Sequence, residues 1–394
     1  MKCKLGDIIN INQYTYTPYD QWKYVNYLDT GNITKNIIDT VRYIDLSKET
    51  LPSRARRKVK NSSILYSMVR PNQSHYGMIK DGIENFLVST GFAVIDVDTN
   101  KAYPAFIYYM LTQQETTERL QAIAEQSVSA YPSIKPSDIE NLDILLPSLL
   151  QQQKIAKLLG NLDDEIELKR QINANLEQQA QAIFKSWFID FEPFGGTMPD
   201  DWQKACLLDI ADYTNGLAMQ KYRPTSHEQG IFVMKIKELR QGFCDSSSEL
   251  CSNTVNPFYL IHNGDVIFSW SGSLLVDFWC GGLCGLNQHL FKVTSNKYAK
   301  WFYYCWTKFH LHHFITEAAD KATTMGHIKR ENLAKAEVVI PTKQIYLTVG
   351  DLLGQIYNLM IANRIEINTL SALRDTLLPK LMSGEIDVSK IEID

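Results

Sequence analysis

Two periods of apolar and polar residues run along this chain, and each occurs twice. Short β-type runs such as FLVSTGFAVIDV (86–97) and DVIFSW (265–270), separated by Gly, Pro and Asn, fill residues 1–148 and 201–341. Within the first stretch, residues 104–125 follow a helical period and predict a single helix. Residues 149–189 and 342–383 are helical throughout. Alternating steps of four and three give Ile155, Leu159, Leu162, Ile166, Lys169, Asn173, Leu176, Ala180, Ile183 and Trp187 in the first. The second gives Val349, Leu353, Ile356, Met360, Asn363, Ile367, Leu370, Arg374, Leu377 and Leu381. Eight of ten positions are apolar in each, the a/d seam of a helix that packs along its length. Pro379 is expected to end or kink the second helix near Leu378.

The two halves superpose as sequence. Ile328, Pro341 and Arg364 follow Ile134, Pro147 and Arg170 by 194 positions, and Leu158-Leu159-Gly160 falls on Leu352-Leu353-Gly354. Nearer the start the shift is 202, with Ile64–Ser67 on Val266–Ser269. A repeat of this length is a duplicated unit rather than a solenoid. The expected class is α+β: two α/β heads in a pseudo-two-fold repeat, separated by two long antiparallel coiled-coil helices. The boundaries are 1–148 for the first head, 149–189 for the central helix, 190–200 for a linker, 201–341 for the second head, 342–383 for the C-terminal helix and 384–394 for a tail. Antiparallel pairing about a common centre sets Asn173 against Asn363 and Lys169 against Ile367. A buried Asn pair costs stability but fixes register. Helices of ~40 residues extend ~60 Å, longer than a head needs, which favours a rod between heads. Periodicity alone leaves open that each helix packs on its own head.

Composition narrows the class further. The chain has 394 residues, 45% hydrophobic and 21% charged, enough for two ordinary globular domains. MKCKLGDIINI has no apolar run of a signal peptide, and no stretch approaches the roughly 18 uninterrupted apolar residues of a membrane span. The expectation is a cytoplasmic protein without a membrane partner. Seven cysteines lack the paired spacing of a zinc site and read as buried free thiols. A net charge of −4 decides nothing about nucleic acid, because phosphates need a local basic patch.

Such a patch occurs in the first head. Arg54, Arg56, Arg57, Lys58 and Lys60 are candidates for phosphate contacts, and Arg70, Asn72, Gln73 and His75 for base edges. An isolated basic run is more often a solvated strand edge. The second head offers Lys221 and Arg223, the turn Trp270-Ser271-Gly272-Ser273, then Gln288 and His289, and Thr323, Thr324 and His327. The chain has no phosphate loop, nucleophile elbow or His-Glu-x-x-His motif. Asn256-Pro257-Phe258-Tyr259 is similar to the Asn-Pro-Pro-Tyr motif of adenine-N6 methyltransferases. The Gly-rich cofactor turn is missing, so Asn-Pro reads as a turn opener.

VNYLDTGNI (25–33), ILYSMVRPN (64–72), residues 145–194, DVIFSWSGS (265–273), NQHLFKV (287–293) and LLPKLMSGEIDVS (377–389) together resemble the specificity subunits of type I restriction–modification enzymes. The resemblance implies two target-recognition domains, each reading half of a split DNA sequence, with the helices as a ruler. It implies a chain with no catalysis or cofactor of its own. Two methyltransferase subunits would dock on the helices and restriction subunits would join them, bringing S-adenosylmethionine, ATP and Mg²⁺. The family often has an acidic residue before Gln where the helix begins. Here the copies read Gln151-Gln152 and Lys343-Gln344-Ile345-Tyr346, and the acidic run Asp163-Asp164-Glu165 with Glu167 is absent from the second; this fits either asymmetric partner contacts or, more commonly, a solvated acidic face. Two other classes remain: a stand-alone adenine methyltransferase using Asn256–Tyr259, and a protein-binding scaffold.

Overall fold

The computed structural model describes residues 2–80, 82–127, 131–320 and 328–391. The chain forms two compact units, and the first is discontinuous: it joins Met1–Asp164 to Leu373–Asp394, while the second is Glu165–Ala372.

In the first unit, strands Arg42–Asp45, Tyr24–Leu28, Phe86–Ser89 and Ala55–Lys58 lie in that order in a mixed sheet, with Phe86–Ser89 parallel to Tyr24–Leu28. An antiparallel sheet has the order Ile9–Ile11, Phe92–Val97, Ile64–Ser67, Tyr76–Met78. Strand Lys2–Lys4 pairs with Asp143–Leu145, just before the central helix. Ile64–Ser67 and Phe86–Ser89 are buried throughout, which explains their unbroken apolar reading.

The second unit repeats this order. Its mixed sheet is Leu250–Cys251, Ile231–Met234, Cys284–Leu286, Leu260–Ile261, again with the middle pair parallel. Its antiparallel sheet is Asp212–Asn215, Leu290–Thr294, Val266–Ser269, Leu275–Phe278, and Gln203–Cys206 pairs with Glu337–Ile340. The duplication is therefore one of topology as well as of sequence.

One expected helix is two. Residues 104–125 form Pro104–Leu111 and Gln114–Glu125. Thr112 donates its hydroxyl to the Tyr109 carbonyl, and Gln113 turns extended at ψ 145°. This is the local competition by which a Thr side chain ends a helix. The second head instead has a continuous helix, Lys300–Asp320.

The central helix is Leu149–Phe188 and the C-terminal helix Lys343–Ser383. Ser148 and Gln151 open the first with a reciprocal capping box: both the Ser148 N–H and its hydroxyl donate to Gln151 Oε1, and the Gln151 N–H donates back to Ser148 Oγ. Pro379 does not end the second helix at Leu378. The helix continues to Ser383, so proline's missing N–H is tolerated near its end.

In the first unit Ile155 and Leu159 are buried with Leu381 against Phe106, Ile107 and Ile144. In the second, Ile356 and Met360 pack with Ala180 and Leu353 against the head's aromatic cluster. Ile166 is also buried, and Leu162, Leu176, Ile367 and Leu370 are half-buried. Asn173 and Asn363 are both buried: Asn363 Nδ2 donates to Asn173 Oδ1 at 2.9 Å, and Asn173 Nδ2 donates to the Met360 carbonyl at 3.1 Å. Lys169 pairs with Glu366 at 2.9 Å rather than lying idle beside Ile367. By length and mean hydropathy the C-terminal helix would pass as a membrane span; one stripe of it, Val349, Leu353, Ile356 and Met360, is buried in protein, while Leu347, Leu352 and Leu359 are exposed.

Candidate nucleic-acid interface

The basic run of the first head lies on an outer strand of the mixed sheet, paired with Phe86–Ser89. Its five cations are not equivalent. Arg54 is exposed, and Arg56 donates to the Ser53 carbonyl at 3.3 Å. Arg57 is half-buried; burial lowers its pKa, and its Nε has no hydrogen-bond partner among the described residues. Lys58 is bonded to Asp20 and lies 5.4 Å from the centre of the Trp22 ring. That hydrogen bond holds the Asp20 carboxyl below its ordinary range. Lys60 sits 4.1 Å over Tyr14, with Asp96 at 3.7 Å. Arg54 and Arg56 are thus freer for phosphate than Lys58 and Lys60, which already have carboxylates.

The loop between Ile64–Ser67 and Tyr76–Met78 carries the base-edge candidates. Arg70 and Ser74 both adopt left-handed backbone, at φ 48° and 56°. Strain of this kind at non-glycine residues persists only where the surroundings enforce it. The Arg70 guanidinium lies 5.0 Å over the exposed Tyr131 ring, and the Arg70 backbone N–H donates to the Pro132 carbonyl. Asn72 and Gln73 are exposed. His75 is half-buried, with Nδ1 donating to the Ile33 carbonyl at 2.7 Å, so that nitrogen holds the loop and is not free for a base.

In the second head, Lys221 and Arg223 are exposed, with Glu249 at 3.1 Å from Arg223. Trp270 and His289 bring their rings within 6.1 Å, and Gln288 Nε2 is 3.3 Å from His289 Nε2. Ser273 is exposed, but Ser271 is buried and its carbonyl accepts from Ser269, so its hydroxyl is poorly placed for DNA. Thr323, Thr324 and His327 lie outside the described residues. Asn256 Oδ1 accepts from the Phe258 N–H at 2.9 Å and caps the turn Pro257–Tyr259. That oxygen is engaged in structure, as a turn opener's is.

Three groups were not recognised from the sequence. Gln152 is buried: its Oε1 accepts from the Tyr103 N–H at 2.9 Å and its Nε2 donates to the Pro147 carbonyl at 3.0 Å. In the second unit the Tyr346 hydroxyl accepts from the Ala299 N–H at 2.7 Å, again just before a head helix. The dissimilar helix starts therefore do the same work. Two arginines of the C-terminal helix are anchored: Arg364, beside the seam, to Asp277 at 2.6 Å, and the seam's polar interruption Arg374 to Asp163 at 2.7 Å, where Tyr109 also donates. The acidic run is engaged too, through Asp163–Arg374, Asp164–Lys80 and Glu165–Lys169. Of the seven thiols, four are buried; burial raises Cys280 to about 11 and Cys305 to about 12, which makes both unreactive.

The family model for the type I restriction modification DNA specificity domain matches residues 1–178 and again 199–370. The chain belongs to this specificity family. It is 26% identical over 97% of its length to the HindI specificity subunit of Haemophilus influenzae, covering 98% of that protein. It is 27% identical over 95% to the MjaIX specificity subunit of Methanocaldococcus jannaschii, covering 87%. The S subunit of a type I restriction–modification system from M. genitalium shares the fold, with a TM-score of 0.59 over 97% of this chain and 96% of that one at 14% identity. As a specificity-family chain it recognises DNA, and catalysis belongs to the other subunits of the restriction enzyme. The heads, rather than any reactive centre, are then where function is sought.

Proposed function

We propose that this chain reads a two-part duplex target, one half with each head, and serves a type I complex in the cytoplasm. The observation that carries the reading is the sheet order built twice with different loop chemistry: Arg70, Asn72 and Gln73 in one head, Trp270, Ser273, Gln288 and His289 in the other. Two such heads suit two different half-sites. Arg54, Arg56 and Arg57 position the first head on phosphates, and Lys221 and Arg223 the second.

The paired helices set the gap between half-sites at about one DNA turn, ~34–36 Å. Two methyltransferase subunits dock on them, and the exposed Leu168 and Ile172 of the central helix and Leu352 and Leu359 of the C-terminal helix offer apolar surface for this. Restriction subunits complete the assembly. S-adenosylmethionine, ATP and Mg²⁺ are assigned to these partners.

The test is the methylome of a methylation-free bacterial host expressing the chain alone, and then with its neighbouring methyltransferase subunit. Methylation only with the partner, at a split motif with an unread gap, is the expected result. Methylation by the chain alone would overturn the non-catalytic reading, and silence in both would leave the proposed target without support.

A further inference from the structure

We propose that the second head holds one unpaired nucleobase, outside the DNA stack, in the open cavity beside its edge strand Asp212–Asn215. This rests on the DNA-reading role above. The cavity has about 650 Å³, within the ~300–1,000 Å³ of small-ligand sites, and is lined by Tyr213, Asn215, Phe258, Tyr259, Trp270 and Arg330 among others. Its rings do not all belong to the core. Tyr259 packs inward on the cluster of Met219 and Val233, while Phe258 stands nearly perpendicular to it at 5.4 Å and is 58% exposed. Trp270 rests 5.6 Å from Phe291 and is only partly buried.

An exposed ring such as that of Phe258, with the partly buried Trp270 and Tyr259 beside it, cannot stack on a paired base, which shows a groove only its edge. It can stack on a base that has left the helix. Asn215 and Asn296 offer hydrogen bonds to its edge, and the exposed Arg330 suits the adjoining phosphate. The first head differs here: by the 202-residue offset Arg56 and Arg57 stand where the second head has Phe258 and Tyr259, in the turn before its outer strand Leu260–Ile261. Because Asn256 is spent on its own turn, the cavity holds the base without acting on it.

The experiment measures binding of the full chain, by fluorescence anisotropy, to a labelled duplex in three forms: fully paired, with one unpaired adenine, and with an abasic site in place of that adenine. The adenine-bulged duplex should bind about tenfold tighter than the paired one, equivalent to ~1.4 kcal/mol. The abasic form should lose that gain. Phe258→Ala should bring the bulged-to-paired ratio close to one, and its exposed position makes a folded variant the expected product. Equal binding of paired and bulged duplexes would overturn the inference, as would an abasic bulge bound as tightly as the adenine one or a ratio unmoved by Phe258→Ala. Binding to none of the three would sink the DNA-reading role itself.

Discussion

Gln152 and Tyr346 show two unlike side chains doing one job. Each accepts the backbone N–H of the residue that precedes a head helix, Tyr103 in one unit and Ala299 in the other. A backbone donor needs only an acceptor of the right reach, so the letters QQQKI and KQIYL hid the equivalence and suggested asymmetry instead. Gln152→Ala should cost about 1–2 kcal/mol, because removing this buried side chain leaves a part-buried N–H and a part-buried carbonyl without their partner. Urea unfolding of the variant beside the parent measures this. The basic run makes the opposite point. Its charge was legible, but the carboxylates that occupy Lys58 and Lys60, Asp20 and Asp96, come from distant parts of the sequence. Arg54→Ala should therefore lower the slope of log affinity against log salt by up to about 0.9, and Lys58→Ala by clearly less. A duplex-binding series across salt concentrations decides it, and equal slopes for the two variants would refute the ranking.

At the scale of elements, the seam was readable because 3.5-residue periodicity survives over ten positions, and its polar exceptions could be aligned by symmetry alone. The partners of the charged exceptions could not, since Lys169 and Arg374 reach Glu366 and Asp163 through packing that no period encodes. The break at Thr112–Gln113 was equally hidden, because a Thr hydroxyl turning back on its own helix leaves the apolar pattern intact. Asn173→Leu alone strands the Asn363 amide in a buried site and should destabilise by about 1–3 kcal/mol. Adding Asn363→Leu should restore stability while loosening register. Thermal melts, with disulfide trapping of cysteines placed at neighbouring seam positions, separate the two effects. The helix Lys300–Asp320 carries a pH dependence. Burial lowers the pKa of His310, whose Nε2 donates to the Glu337 carbonyl at 2.8 Å. A depressed histidine contributes stability that is full above its unfolded pKa of about 6.5 and is lost as pH falls through the folded value. His310→Gln should flatten the decline in melting temperature below about pH 6.5.

For the whole molecule, duplication was the most legible feature, since a constant offset needs no knowledge of contacts. It predicts a modular ruler. Inserting one helical turn in each long helix should lengthen the unread gap by ~5.4 Å, one to two base pairs at 3.4 Å, while both half-site sequences persist. The methylation motif of the variant complex is the readout, and an unchanged gap would refute the ruler. What the offset could not show is that the compact units cut across the repeat, with the chain's last segment completing the first unit.

That discontinuity sets an order on the ribosome. Residues 165–372 are contiguous and can fold as they emerge, but the first unit waits for Leu373–Asp394. The 230 residues between 164 and 394 take roughly 12–46 s to make at 5–20 residues per second. Throughout that interval the apolar seat filled by Leu381 and Val388, beside Ile155 and Leu159, lies open on the nascent chain. The part of this protein made first is the part finished last, and a chaperone would find its client there.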